Sequence, residues 1–179
     1  MKTAALFTVL TVALLSGCAA TVNKTSSPDT PPLRVAAESS KAVAINITGS
    51  KVVTASNDWE QLKGEWRSAM KAATAAAGVQ YSEQDGKPRP TGQPGTLVVV
   101  DVNDYRYLSP GARYGFGVMT GNAYVDSKVR FMDLKSGASY GERVYNTSSS
   151  AWQGIFSAMT AKQIEAICKE IVTEITARP

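Results

Sequence analysis

The side chain best placed for covalent chemistry is the thiol of Cys18, which lies just after an apolar run (Ala4 to Leu15) and two small residues. Lys2 precedes the run and gives it a positive start. Because a stable transmembrane helix needs about 20 apolar residues, this run is too short to span a bilayer. A positively charged N-terminal region, a short apolar core and small residues before a cleavage site are typical of a secretory signal. We therefore predict a signal peptide over residues 1–17.

The tetrapeptide Leu15-Ser16-Gly17-Cys18 resembles the lipobox of bacterial lipoproteins. The resemblance implies that diacylglycerol is attached to the Cys18 thiol, that the chain is cut before it, and that the new amine is acylated, typically with palmitate. More than one acyl chain makes such anchoring stable. In enteric bacteria, Asp directly after the lipidated cysteine resembles the signal for retention at the inner membrane, so Ala19 implies transport to the outer membrane. An ordinary secretory signal with an incidental cysteine is the alternative.

Composition excludes several kinds of active site. The chain has no histidine, which removes Ser-His-Asp and Cys-His catalysis and the commonest metal ligand. With Cys18 lipidated, Cys168 has no partner for a disulfide, and its place on an apolar helix stripe favours core packing over a reactive thiol. A net charge of +4 is too small and too dispersed to predict nucleic-acid binding. We expect no cofactor and no metal.

The composition leaves an active site built from carboxylates as an alternative. The candidate acids are Asp101, Asp104 and Asp126, and they would suit an enzyme acting on an envelope polymer. Asp101 and Asp126 fall near the ends of predicted strands, where they could converge. Acids on exposed strand faces are usually just solvated. A non-enzymatic protein is therefore the preferred prediction, with the carboxylate enzyme as its alternative.

The mature chain is predicted to form a tether and one domain. Residues 18–40 combine Ser, Thr, Pro and Ala with few large apolar side chains, so they cannot bury enough surface to offset their ordering entropy. We predict a flexible, lipidated tether there, with a reach of several tens of ångströms at roughly 3.3 Å per residue. Residues 41–179 then form a single α+β domain.

Hydrophobic periodicity predicts the elements of this domain. Apolar residues at three- and four-residue steps predict one helix from an N-cap at Asn57 to Ala77, ended by Gly78, and another from Thr160 to Ala177. Runs rich in β-branched and aromatic residues, most of them alternating, predict strands over 41–48, 79–82, 96–108, 123–131 and 138–146. The fold class is therefore an α+β two-layer sandwich, with a mixed or mainly antiparallel sheet of four to five strands and two helices on one face.

The glycine-rich stretch 111–121 is the main candidate for a binding loop. It lacks the lysine and the following helix that a phosphate loop needs, so a nucleotide site is not predicted. A mobile connection between strands is the simplest interpretation. As a binding loop it would present Arg113, Tyr114 and Phe116 to a partner.

Several tyrosines close to this stretch would line a platform for a glycan or a protein. Half-exposed aromatic residues are enriched at interfaces, but tyrosine also packs well across strands. Both interpretations apply to the same set: Tyr105, Tyr107, Tyr114, Tyr124 and Tyr140.

Three runs together resemble a family of small proteobacterial lipoproteins catalogued as a domain of unknown function: 97–102, 111–117 and 123–137. The resemblance spans residues 95–178 and implies an envelope lipoprotein of α+β form, with no catalytic residues to carry over. The element order also resembles small domains of outer-membrane lipoproteins that activate penicillin-binding proteins or help to build curli and flagellar structures. We therefore expect a lipid-anchored, periplasm-facing module that binds an envelope protein or glycan, in an oligomeric state that the sequence leaves open.

Overall fold

The computed structural model describes residues 21–25, 31–107, 123–148 and 159–177. The α+β class predicted from the sequence is confirmed, with helices layered on a sheet. The elements within these ranges are β1 (Thr21–Thr25), β2 (Ala42–Gly49), α1 (Lys51–Thr54), α2 (Trp59–Ala76), β3 (Gln80–Gln84), β4 (Thr96–Arg106), β5 (Tyr124–Asp133), β6 (Ser139–Ser148) and α3 (Met159–Thr176). A single 3₁₀ turn (Ser39–Lys41) precedes β2.

The described strands form one mixed sheet in the order β1-β6-β5-β4-β2-β3. β2 runs parallel to β3 and β4, while the pairs β4–β5, β5–β6 and β6–β1 are antiparallel. The described residues contribute six strands to this sheet rather than the predicted four to five. The additional strand is β1, which forms one edge of the sheet.

The core lies between this sheet and the two long helices, α2 and α3. β4 contributes Val98, Val100 and Val102, which are fully buried, and α2 contributes Trp59 and Trp66. The predicted apolar stripe of α3 is buried as expected: Ile164, Ile167, Cys168, Ile171, Val172 and Ile175. Since burying one large aliphatic side chain contributes about 1.5–3 kcal/mol, this layer holds the helices on the sheet.

The two ends of α2 differ in how well the sequence predicts them. Asp58, not Asn57, is the N-cap, and its side chain makes no capping hydrogen bond. Asp58 instead accepts a hydrogen bond from the Tyr105 hydroxyl at 2.5 Å, so a tertiary contact replaces the predicted local cap. At the other end Gly78 has a φ of +69°, as predicted for a glycine that ends a helix in the left-handed conformation.

Part of the segment predicted as a flexible tether is folded against the domain. Residues Thr21–Thr25 form β1 and pair with β6, and Leu33 and Val35 pack against the core. The prediction of a tether over 18–40 is wrong for these described residues. The composition wrongly predicts a flexible segment here, because an edge strand is held largely by backbone hydrogen bonds and needs few apolar side chains. The signal peptide over 1–17 stays a prediction.

Candidate partner-binding surface

The sheet face opposite the helices carries the polar side chains of β4, β5 and β6. β5 builds this face by alternation, because every second residue from Val125 to Phe131 is buried toward the helices and the residues between them lie on the other side. We call this surface the open face. Its members are Asp101, Asp104, Arg106, Tyr124, Asp126, Lys128, Arg130 and Glu142.

A β-bulge at Asn103 extends the open face toward the end of β4. The register with β5 shifts between Val102, which pairs with Ser127, and Asp104, which pairs with Asp126. In a regular strand Val102 and Asp104 would share one face. The extra residue keeps Val102 in the core and turns Asp104 outward.

One row of the open face runs from β2 to β6. Thr48 Oγ1 donates a hydrogen bond to Asp101 Oδ1 at 3.3 Å, and Asp101 lies directly opposite Lys128. Lys128 Nζ forms an ion pair with Glu142 Oε1 at 2.8 Å, and the two side chains are 41% and 55% exposed. Exposed pairs of this kind contribute about 0–1 kcal/mol to stability. The row can therefore exchange its partners for those of another molecule at little cost to the fold.

A second row lies where β4 ends and β5 begins. The Tyr124 hydroxyl donates a hydrogen bond to Asp104 Oδ2 at 2.9 Å, and the guanidinium carbon of Arg106 lies 5.8 Å from the centre of the Tyr124 ring. The hydrogen bond to Asp104, followed by burial, raises the pKa of the Tyr124 hydroxyl. Asp104 also lies opposite Asp126, and like charges facing each other across strands are unfavourable. An exposed arginine stacked on a tyrosine is a pairing that interfaces favour.

The other half of the same sheet face, over β2 and the start of β4, is covered. Ala44, Leu97, Val99 and Leu134 form a second buried hydrophobic cluster there. Thr91 in the proline-containing segment after β3 donates its backbone N–H to the carbonyl of Leu134 at 2.8 Å and holds that segment in place. The exposed charges are therefore concentrated on β4, β5 and β6.

Most of the described tyrosines of the predicted platform face the helices instead. Tyr105 contacts the N-cap of α2, and the Tyr107 hydroxyl donates to Glu65 Oε1 at 3.2 Å. Burial, and then the neighbouring carboxylate, raises the pKa of each hydroxyl to about 12. Tyr140 packs against the same helix-side core. Tyr124 is the described member that lies on the open face, so the described residues do not form the predicted platform.

A cluster of charged side chains lies at the β1 edge of the sheet, where Arg143 is buried and Glu174 and Lys24 are partly buried. Glu174 of α3 accepts hydrogen bonds from Arg143 Nε at 2.9 Å, from the Tyr145 hydroxyl at 2.8 Å and from Lys24 Nζ at 2.6 Å. Arg143 Nη2 also donates to the backbone carbonyl of Pro31 at 2.9 Å. Burial, followed by the charge of Glu174, raises the pKa of the Tyr145 hydroxyl. These contacts join β1 and the segment after it to α3, which is a structural role.

Two cavities lie elsewhere in the described part of the chain. One, of about 510 Å³, lies between α2 and α3 and is lined mainly by alanines of α2. The other, of about 460 Å³, lies between β3 and the proline-containing segment. Neither cavity is lined by Asp101, Asp104 or Asp126. A glycosidase needs its two carboxyl groups on either side of a bound substrate, and these acids lie on the sheet surface.

The predicted site residues differ in whether the structure describes them and in where it places them. Cys18, Arg113, Tyr114 and Phe116 lie outside the described residues, so their roles stay predictions. The acids of the alternative enzyme site do share one face of the sheet. Cys168 is fully buried, and burial raises the pKa of its thiol, which confirms core packing.

The described ranges contain neither a cluster of metal-binding side chains nor a helix suited to cross a membrane. Within 21–25, 31–107, 123–148 and 159–177, the Cys, Asp and Glu side chains include no group of three able to hold a metal ion. The helices in these ranges are not long and apolar enough to cross a bilayer.

Sequence reasoning missed the second row of the open face. The sequence shows Arg106 and Tyr124 as polar residues on predicted strands. Their pairing depends on the bulge at Asn103, and no residue type in this part of the sequence predicts a bulge. It also missed the cluster around Glu174, because the partners of that residue lie on two strands far apart in the sequence.

The fold is that of a two-layer α+β domain, with a helix layer on one face of a mixed sheet and a polar surface on the other. No protein-family model matches the chain, and no curated protein matches it in sequence. Among solved structures, the PelC dodecamer from Paraburkholderia phytofirmans is 16% identical and covers 89% of this chain and 99% of that chain, with a TM-score of 0.50.

Two further solved structures are more distant. A protein of the DUF330 family from Xanthomonas campestris is 9% identical and covers 74% of this chain and 81% of its own, with a TM-score of 0.46. Lipoprotein GNA1162 from Neisseria meningitidis is 11% identical and covers 73% of this chain and 96% of its own, with a TM-score of 0.37. At these identities the likeness concerns the fold alone.

Proposed function

We propose that the protein is a lipid-anchored envelope lipoprotein whose domain binds another envelope component through its open face, without chemistry of its own. The observation that carries the binding role is the exposed row of Arg106, Tyr124 and Asp104 on a sheet face opposite the helix layer. The lipobox ending at Cys18 supports the anchor, and Ala19 supports the outer membrane, with the domain facing the periplasm.

The partner is an envelope protein or a glycan. Arginine and tyrosine at the centre of an interface serve both, because each combines a flat apolar surface with hydrogen-bond donors. A protein of similar fold, PelC, is described as a dodecamer. A second copy of this chain is therefore one of the partners that an experiment has to distinguish.

Site-specific photocrosslinking in intact cells tests the binding role. A photoreactive side chain at Arg130, exposed on the open face, is expected to give a discrete adduct whose mass identifies the partner as another protein, a glycan or a second copy. The matched control is Lys71, which is exposed on α2. Absence of any adduct at Arg130 above that at Lys71 would refute binding through the open face.

Substitution on the open face gives a second test. Replacing Arg106 and Tyr124 by Ala is expected to reduce the Arg130 adduct, since truncating an interface anchor costs 2 kcal/mol or more. The melting temperature is expected to fall by only a few degrees, because Arg106 is exposed and the half-buried Tyr124 lies outside the hydrophobic core. An unchanged adduct would exclude these two side chains from the interface.

The carboxylate enzyme is the alternative function, and the opposition of Asp104 and Asp126 is the observation in its favour. Asp104 is already engaged by Tyr124, and neither acid lines a described cavity. Cleavage of isolated envelope glycan by the purified protein, lost in Asp126→Asn, would support the enzyme. No cleavage together with an unchanged Arg130 adduct in Asp126→Asn is the outcome we expect.

A further inference from the structure

The start of β1 is very close in the sequence to the proposed lipid. Thr21 is the first residue of β1, and Ala19 and Ala20 alone separate it from Cys18. Three residue steps span at most about 11 Å, since an extended chain advances by roughly 3.3–3.6 Å per residue. A lipid on Cys18 is therefore held next to the sheet rather than at the end of a long tether.

The strand register shows which end of the sheet this is. Thr21 pairs with Ser148, Ser148 with Tyr124, and Tyr124 with Arg106. This row across β1, β6, β5 and β4 is the anchor end of the sheet. The turn at 133–137 follows β5 at the opposite end, which lies about 30 Å away at roughly 3.3 Å per residue along the strand.

We propose that the anchor end of the sheet lies against the headgroup surface of the bilayer, so that the domain stands on the membrane and its 133–137 turn points away from it. The inference rests on the lipidation of Cys18 proposed above. It names the bilayer as a partner of the domain and fixes how the open face is presented. Because the strands then rise from the membrane, an envelope partner reaches the open face from the side and meets Arg106 and Tyr124 where the sheet approaches the headgroups.

β1 cannot lengthen this connection without losing contacts in the fold. The strand pairs with β6 from Thr21 to Thr25, and Lys24 Nζ lies 2.6 Å from Glu174 Oε1. Beyond the strand, the carbonyl of Pro31 is held by Arg143, whose side chain is 5% exposed. Detaching β1 would leave the buried Arg143 and Glu174 without partners from the N-terminal segment. The anchor is therefore attached to the rigid part of the domain.

The described side chains at the anchor end suit a headgroup layer. Arg106 is exposed and presents a cation, which anionic lipid headgroups attract. The nearby carboxylate of Asp104 is engaged by the Tyr124 hydroxyl at 2.9 Å. The Tyr124 ring lies beneath it, half-buried, and tyrosine is enriched where membrane proteins meet the water interface. Neither Arg106 nor Tyr124 belongs to the hydrophobic core formed by the described residues.

Fluorescence quenching by lipids with nitroxide headgroups tests this orientation. The full-length lipidated protein is purified from membranes and reconstituted into phosphatidylethanolamine and phosphatidylglycerol vesicles. A thiol-reactive fluorophore is placed at the near end with Arg106→Cys or with Asn103→Cys, and at the far end with Ser136→Cys, all three being exposed positions. The chain without an added cysteine is the labelling control, because the Cys168 thiol is buried.

We expect the near-end probes to be quenched at least about threefold more strongly than the Ser136→Cys probe. Inserting a 20-residue Gly/Ser linker between Ala20 and Thr21 provides a matched variant, because such a linker adds an average reach of about 25 Å. The linker is expected to reduce the difference between the two ends. Equal quenching at both ends of the unmodified chain, or near-end quenching that survives the linker, would overturn the inference.

The same samples separate this inference from the proposed function. Failure of the protein to float with the vesicles, without fatty acid on Cys18, would refute the anchor and this inference together. Flotation with equal quenching at the two ends would refute the orientation and leave the anchor standing. Unequal quenching without any Arg130 adduct in cells would support the orientation and refute the binding role.

Discussion

Replacing Glu174 by Gln is expected to weaken the domain at the β1 edge. Glu174 balances Arg143, whose side chain is 5% exposed, and Lys24, whose side chain is 30% exposed. Removing one partner of a buried ion pair costs about 3–5 kcal/mol. Gln can still accept the hydrogen bond from Tyr145, and Lys24 recovers most of its hydration, so we expect a loss near the lower limit, about 3 kcal/mol.

The assay is urea unfolding of a soluble chain from which residues 1–18 are removed. A loss of about 3 kcal/mol corresponds to a fall in melting temperature of roughly 6–12 °C for a domain of this size. Glu170→Gln is the matched control, because Glu170 is exposed one turn earlier on α3, and we expect it to change stability by under about 0.5 kcal/mol. Hydrogen exchange of the β1 amides should rise in Glu174→Gln and not in Glu170→Gln.

A double variant checks the cause of this loss. Arg143→Met combined with Glu174→Gln removes the charge that the single substitution leaves uncompensated, so the double variant should be more stable than Glu174→Gln alone. If Glu174→Gln destabilises the domain no more than Glu170→Gln does, the cluster contributes nothing, and the reasoning about β1 is refuted.

Four further outcomes are expected. Gly78→Ala should lose about 1 kcal/mol because its φ is +69°, whereas Gly64→Ala, on the exposed side of α2 with open space for a Cβ, should gain about 0.5–1 kcal/mol in the same unfolding assay. The pKa of Tyr105 is raised to about 12, so its contribution to stability is complete below pH 10 and declines as the pH rises toward 12, and Tyr105→Phe should make the urea midpoint less sensitive to pH above 10. The buried Cys168 thiol should react with a thiol reagent only as fast as the domain opens, and the rate of labelling at increasing urea concentrations measures this opening. Cys18→Ser should leave unlipidated precursor outside the outer-membrane fraction, and fatty-acid label surviving in that variant would refute the anchor.

Periodicity predicts the central part of the fold well because burial on one face leaves a regular pattern in the sequence. The stripe from Ile164 to Ile175 and the alternation along β5 are both set by contact with one apolar layer. The valines at 98–100 are apolar on both faces, a pattern typical of a strand covered on both sides, and the second cluster around Leu97 and Val99 covers the face opposite the helices.

The remaining features depend on contacts between distant residues, which local patterns do not encode. β1 has one half-buried apolar side chain, Val22, and its stability comes from β6 and Glu174. The N-cap of α2 is Asp58 rather than the predicted Asn57, and the Asp58 carboxylate accepts a hydrogen bond from Tyr105 of β4. The outward turn of Asp104 depends on a bulge whose position is decided by pairing with β5. The open face could be expected from the sequence, but its second row could not.

The pairing of β1 with β6 also has a consequence for the order of folding. Thr21 and its partner Ser148 lie 127 positions apart in the sequence (148 − 21), so this pair closes a very long loop. Contacts between such distant residues form late, because the entropy of loop closure is lost before the contact is gained. Until β1 arrives, β6 is an edge strand with unpaired backbone groups, able to add a strand from another chain. A domain whose first strand is delayed or removed is therefore expected to exchange strands or aggregate through β6.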